Sequence, residues 1–294
     1  MTEQQDPTTR FPGPEAQGPE QLGHPGRTHE MDLRPDHGET SYRGTGKLAN
    51  RRALITGGDS GIGRAVALAF AREGADVLIS YLESEEGDAR ETCRLVEEAG
   101  RKAVATPGDL RDEDHCTSLI QDAVSKLGGL DILVNNAAYQ MSQAGIEDIT
   151  TEQFDRVMKT NVYAMFWLCK AAIPHLKPGS TIINTTSIQA YQPSPQLLDY
   201  ATSKAAILNF TKALAQELAP KGIRVNAVAP GPIWTPLIPA TLPKAKVEQF
   251  GADTPLGRAG QPAELAPAYV FLASQDSSYI TGERIGITGG NPLP

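Results

Sequence analysis

The chain has 294 residues, 40% of them hydrophobic and 21% charged, which is enough apolar material for one large core or two ordinary ones. Its 35 acidic and 27 basic side chains leave a net charge of −8, which excludes a broad basic footprint for nucleic acid and argues against an anionic membrane surface as partner. The three cysteines, Cys93, Cys116 and Cys169, are too scattered for a disulfide framework or a zinc knuckle, so a reducing compartment, the cytoplasm, is expected.

Residues 1–43 stand apart as a polar extension. They hold six prolines, five glycines and few large apolar side chains, and no helical or strand period survives. Burial of their own side chains cannot offset the entropy of ordering them, so any order would come from lying across something else, such as a neighbouring subunit. His24, His29 and His37 fall here without a cysteine or a firm scaffold and read as solvated residues, so no metal is expected. Residues 1–10 lack the apolar segment of a secretory signal.

Residues 44–294 read as a single domain. Strand-like apolar runs lie at 53–56, 77–81, 103–106, 132–135, 181–186, 224–228 and 284–288. Helical periods lie between them at 62–73, 85–99, 112–127, 151–176, 200–218 and 262–273. This alternation predicts an α/β fold of Rossmann type, a doubly wound parallel sheet in three α/β/α layers. The uncharged stretch 225–243 approaches the length of a membrane span, but Pro230, Pro232, Pro236, Pro239 and Pro243 make it a loop over a site.

The first strand runs into Thr56-Gly57-Gly58-Asp59-Ser60-Gly61-Ile62-Gly63, and a helix follows. Glycines at a strand-to-helix turn let a pyrophosphate approach the backbone, and the helix N-terminus offers it free N–H groups. Gly57, Asp59, Ser60, Gly61, Ile62 and Gly63 are therefore candidate cofactor contacts. The embedded Gly-Asp-Ser-Gly is similar to a serine-protease segment, but the α/β pattern and the lack of a scaffolded upstream histidine exclude that chemistry. The second strand ends Tyr81-Leu82-Glu83, where the reader of the adenine ribose is expected. No Arg or Lys stands there to pair a 2′-phosphate, and Glu83, Glu85 and Glu86 would repel one, so NAD is favoured over NADP. After the third strand, Asp109 and Leu110 are placed to meet the adenine, with a helix cap as the competing role for Asp109. After the fourth, Asn136, Ala137 and Ala138 would let the cofactor lie close to the backbone.

Tyr200 and Lys204 are four residues apart and share one helix face, and Ser187 ends the preceding strand. All three would reach the carboxyl edge of the sheet, where ligands bind in open α/β folds. An ammonium about 4 Å from the phenol would bring its pKa from about 10 to roughly 7–8, a usable acid/base for interconverting an alcohol and a carbonyl.

Four motifs occur in order: Thr-Gly-x-x-x-Gly-x-Gly at 56–63, Asn-Asn-Ala at 135–137, Tyr-x-x-x-Lys at 200–204 and Pro-Gly-x-x-x-Thr at 230–235. Over 48–290 the chain resembles the short-chain dehydrogenase/reductase (SDR) family. Its members with an N-terminal extension, the glucose/ribitol-dehydrogenase-like and general-stress oxidoreductases, look most similar. The resemblance implies hydride transfer with NAD or NADP, with Tyr200 as acid/base, Ser187 polarising the substrate oxygen and Lys204 holding the nicotinamide ribose. It implies a relay water at Asn161, a carboxamide contact at Thr235, and Pro230, Gly231 and Ile233 beside the cofactor. Ala138 departs from the glycine usual there. Gln189, Tyr191, Trp234 and Leu237 are expected to line the substrate pocket, which suits a polyol, a sugar or a small aldehyde or ketone. A 3-oxoacyl reductase is the alternative within the enzyme class, and a cofactor-binding regulatory or structural protein the alternative outside it. A homotetramer is implied, with Phe166, Trp167 and Leu168 supplying spare apolar surface.

Overall fold

Seven runs rich in Val, Ile and Leu form one sheet in the computed structural model, which describes residues 4–294. The strands are β1 (Arg52–Thr56), β2 (Asp76–Tyr81), β3 (Ala103–Pro107), β4 (Ile132–Asn135), β5 (Thr181–Thr185), β6 (Arg224–Pro230) and β7 (Arg284–Ile287). All pair in parallel, in the order β3-β2-β1-β4-β5-β6-β7. The order reverses between β1 and β4, and a crevice opens there beyond the carboxyl ends of the strands.

The helices are α1 (Gly61–Arg72), α2 (Glu86–Glu98), α3 (Glu113–Leu127), α4 (Thr151–Met158), α5 (Ala164–Ala172), α6 (Leu198–Leu218), α7 (Leu237–Thr241), α8 (Lys244–Val247) and α9 (Pro262–Ala273). Successive side chains of a strand point to opposite faces. Thus Ala53 and Ile55 of β1 join a core with Val66 and Phe70 of α1 and Tyr269 of α9, while Leu54 joins another with Leu119 of α3, Leu168 of α5 and Leu214 of α6. Helices on both faces explain why the strands read as unbroken apolar runs. Among the described residues no helix is long and apolar enough to cross a membrane.

Three expectations change. The single helix expected over 151–176 is divided: α4 and α5 are joined by a π-turn, Lys159–Tyr163, and a 3-10 turn, Ile173–His175, follows. The wide turn carries Asn161 inward, where its Oδ1 accepts from Tyr139 N–H (2.7 Å) and its Nδ2 donates to Tyr139 O and Ser203 Oγ (2.9 Å each). The stretch 225–243 is loop only in part, since β6 occupies its start and α7 lies within it.

The extension lies across its own chain. Leu22 N–H donates to Pro239 O (3.1 Å), Trp234 Nε1 to Leu33 O (2.7 Å) and Asp36 N–H to Gln261 Oε1 (2.9 Å). The Arg72 guanidinium donates to the carbonyls of Gly38, Glu39 and Tyr42. Met31 is buried with Trp234, Ile238, Val247 and Ala259 in a third apolar cluster. A segment too polar to fold alone thus borrows burial from the domain beneath it. The histidines follow suit: His37 is buried against Glu39 and His24 is half-buried, while His29 alone is exposed.

Candidate active site

A cleft of about 330 Å³ lies over the carboxyl ends of the strands. The glycine turn forms its floor. Gly61 has φ +48°, and a Cβ on Gly63 would stand 1.9 Å from the Gly57 carbonyl oxygen, so no other residue fits at 63 without moving the turn. The turn delivers the N-terminus of α1, a 12-residue helix, to the cleft, where its first N–H groups favour an anion. Gly57, Asp59, Ser60, Gly61 and Ile62 line the wall, whereas Gly63 packs behind it. Asn136 also lines the wall, but its side chain braces the turn, donating to Thr56 O (3.1 Å) and Gly57 O (3.2 Å).

At the β2 end, Tyr81 and Leu82 line the cleft and Glu83 does not: it is exposed at the start of the next turn. Glu85, with Asp59 and Ser80, stands on the wall where Glu83 was expected. Asp109, Leu110, Ala137 and Ala138 complete this end. Arg111 donates to the Asp109 carboxyl and holds it below the usual carboxylate range. The helix cap that competed for Asp109 falls to Asp112, which accepts from Asp114 and His115 N–H.

The extension contributes His24 and Pro25 to the wall. The His24 ring packs edge-on against Tyr139, 4.9 Å between centroids, and Arg156 Nη2 stands 3.4 Å from Nδ1. Burial, then the charges of Arg156 and Arg111, push the imidazole down to about 4, so it is neutral near pH 7. The composition of the extension gave no sign of this placement, because the ring's partners lie more than a hundred residues away, as the His24–Arg156 separation of 132 shows.

At the other end, α6 and the end of β5 bring three groups together. Tyr200 and Ser187 stand together on the cleft wall, where the Ser187 hydroxyl acts to lower the Tyr200 phenol. Lys204 is 1% exposed, and its Nζ donates to Thr185 O (2.8 Å) and lies over the Tyr200 ring, 5.3 Å from its centroid. Burial pushes the phenol up to about 12, against the pull of Ser187, and pushes Lys204 down to about 7. The expected fall of Tyr200 to roughly 7–8 is therefore corrected. That expectation counted the attraction between the charged forms and left out the desolvation that disfavours both.

Pro230, Gly231, Ile233 and Thr235 face this end from across the cleft, and Gln189 and Leu237 extend it. Tyr191 and Trp234 lie outside. The Tyr191 hydroxyl accepts from Arg284 Nε (3.0 Å), and Trp234 is wholly buried beneath the extension. Asn161 also lies behind the wall, beside a small adjoining void shared with Thr160 and Thr185. No group of three His, Cys, Asp or Glu among the described residues is placed to hold a metal.

The family model for enoyl-(acyl carrier protein) reductase matches residues 57–291. An oxidoreductase of Escherichia coli, YghA, is 55% identical over 294 residues, all of both chains. The chain belongs to the short-chain dehydrogenase/reductase family. A glucose and ribitol dehydrogenase of Daucus carota is 47% identical over 275 residues, 92% of this chain and 94% of the relative. An SDR of Burkholderia cenocepacia, solved with NADP, superposes with a TM-score of 0.77 at 34% identity, covering 83% of this chain and 98% of that one.

The cleft of this SDR fits a nicotinamide dinucleotide on its own chemistry. It offers the glycine floor and the helix N-terminus for a pyrophosphate, and two buried polar atoms without a protein partner, Asp59 Oδ2 and Ser80 Oγ, at the β2 end.

Proposed function

We propose that the protein interconverts an alcohol and a carbonyl with a nicotinamide dinucleotide, on a polyol, a sugar or a small aldehyde or ketone. The observation that carries this reading is that Ser187, the half-buried Tyr200 and the buried Lys204 stand together on the wall at one end of a cleft whose other end fits an adenosine. The dinucleotide supplies or accepts the hydride when bound. Tyr200 exchanges the proton with the substrate oxygen, and Ser187 Oγ–H donates to that oxygen and fixes its position. Lys204, anchored on Thr185 O, holds the ribose hydroxyls and favours the ionised phenol once charged. The Asn161 side chain is committed to Tyr139 and Ser203, so we assign the relay to main-chain carbonyls of its π-turn.

The lean towards NAD is withdrawn. It rested on the absence of Arg or Lys at the end of β2 and on Glu83, Glu85 and Glu86, of which only Glu85 lines the cleft, and the Burkholderia relative holds NADP. For the substrate, Gln189 with Leu197 and Leu237 gives one polar and two apolar walls, and the carrot relative's name is that of a sugar and polyol dehydrogenase. A 3-oxoacyl reductase is kept as the second reading; the family model's description, an enoyl-(acyl carrier protein) reductase, shares with it only the acyl-carrier type of substrate. The three free cysteines suit the cytoplasm, and burial raises the thiols of Cys116 and Cys169 to about 12, which keeps them unreactive.

Tyr200→Phe tests the reading. Turnover across a panel of polyols, sugars, aldehydes and a 3-oxoacyl thioester, followed by nicotinamide absorbance, is expected to fall at least ~100-fold with cofactor affinity retained. Full activity in the variant would refute the assignment. A wild-type protein that binds the cofactor yet turns over nothing on the panel would favour a regulatory role.

A further inference from the structure

The extension and α4 meet on the cleft wall in a cluster that the proton and hydride chemistry leaves unused. Arg156 of α4 lays its guanidinium over the Tyr139 ring, 4.0 Å from the centroid. The His24 ring packs edge-on against the same tyrosine, and Arg156 Nη2 stands 3.4 Å from His24 Nδ1. All three residues line the cleft. An arginine only donates, so Nδ1 of the neutral imidazole accepts and its proton lies on Nε2. Among the described residues that Nε2–H meets no acceptor, and the Arg156 side chain makes no hydrogen bond beyond the one to His24.

The charges around the cluster leave Arg156 unmatched. Of the cations lining the cleft, Arg111 is paired with Asp109 and Lys204 is buried against Thr185 O. Asp155, next to Arg156 in the chain, is paired with Lys159 (2.9 Å). Among the described residues no carboxylate lies within ion-pair distance of Arg156. Stacking on Tyr139 fixes the plane of the guanidinium and leaves the remaining donors of its fork to a ligand.

The cluster stands opposite α7, on the substrate side of the cleft. His24 lies between Leu22, whose N–H donates to Pro239 O (3.1 Å), and Gly26, which packs against Pro236 O. Those two anchors flank Leu237 and Ile238, which both line the cleft. Gln140, beside Tyr139, donates from Nε2 to Thr241 Oγ1 (2.9 Å) at the end of α7. The pyrophosphate of a dinucleotide is already met by the N-terminus of α1, so this cation addresses a different anion. We propose that Arg156 and His24 form a subsite for an anionic substituent, a carboxylate or a phosphate ester, on the alcohol or carbonyl substrate. This deepens the oxidoreductase reading and rests on it. The Arg156 fork takes the oxyanion from α4, and His24 Nε2–H donates to it from the extension, which makes the arm part of the substrate wall.

Matched pairs of substrates test the subsite: butanal against succinic semialdehyde, and ribitol against ribitol phosphate. The readout is the ratio of the neutral member's KM to the anionic member's, with NADH and NADPH affinity followed by fluorescence. In the wild type the ratio is expected to favour the anionic member at least ~10-fold, the worth of one charge-assisted pair. Arg156→Met should abolish that preference, and Arg156→Lys, a charge without the fork, should recover part of it. His24→Phe, which keeps a ring against Tyr139, should lower it about threefold, the effect of one lost neutral donor. Circular dichroism checks each variant, and His24→Phe decides if Arg156→Met does not fold. A wild-type ratio near one, or a ratio unmoved by the substitutions, would overturn the subsite and leave the oxidoreductase intact. Loss of dinucleotide affinity in place of the substrate preference would also overturn it, by giving the cation to the cofactor. A wild-type protein that binds neither dinucleotide would instead overturn the oxidoreductase reading itself.

Discussion

Lys204 carries the largest electrostatic tension at the reacting end. Its amine is buried against a single carbonyl oxygen and held near 7, well below the usual value for lysine. The unfolded chain therefore binds more protons than the folded one between about pH 7 and the ordinary lysine value of 10.5, so stability gains with rising pH across that window. Below pH 7 the folded protein bears the full cost of a buried ammonium. Lys204→Met should accordingly raise the melting temperature, most at pH 6, and still abolish turnover, as thermal melts and cofactor absorbance would show. A lower melting temperature at pH 6 would mean that the ammonium is better solvated than its surroundings indicate. Spacing alone predicted that Tyr200 and Lys204 share a helix face, and the structure agrees. Neither the sign of their shifts nor the displacement of Glu83 by Glu85 was legible, because both depend on burial depth and on where the turn after β2 aims each carboxyl group.

The sheet and its main helices were readable because their periods are long and their caps local. The π-turn was not, since the apolar pattern continues across it and only the inward partners of Asn161 reveal it. The extension was the least readable element. Its order comes from contacts such as Gly26 against Pro236, where φ is +82° and a Cβ would stand 2.5 Å from the carbonyl oxygen. Gly26→Ala should therefore lift residues 22–28 from α7. Hydrogen exchange at Leu22, whose amide is bonded to Pro239, is expected to quicken at least tenfold while the β-sheet amides keep their protection. Equal protection in variant and wild type would show that the close approach is dispensable.

For the whole molecule, one domain with an adhering arm replaces the two ordinary domains that length alone allowed. Phe154, Tyr163 and Phe166 remain 39–46% exposed along α4, the π-turn and α5, whereas Leu168, counted as spare surface from sequence, is used in the protein's own core. We propose that this face joins copies of the chain in the expected tetramer. Phe166→Glu should then yield a smaller species by light scattering, and an unchanged mass would place the interface elsewhere.

The arm also sets an order of events during synthesis. Leu33 leaves the ribosome long before Trp234, which it meets across 201 residues, and Asp36 waits for Gln261 across 225. Closing so long a loop costs little more than closing one half its length, only ~0.6 kcal/mol, so the finished contacts are stable, but they can form only late. Nascent chains should carry a naked, protease-sensitive N-terminus until the polypeptide is nearly complete. A bulky fusion at that end would tax the last stage of folding more than the same fusion at the other.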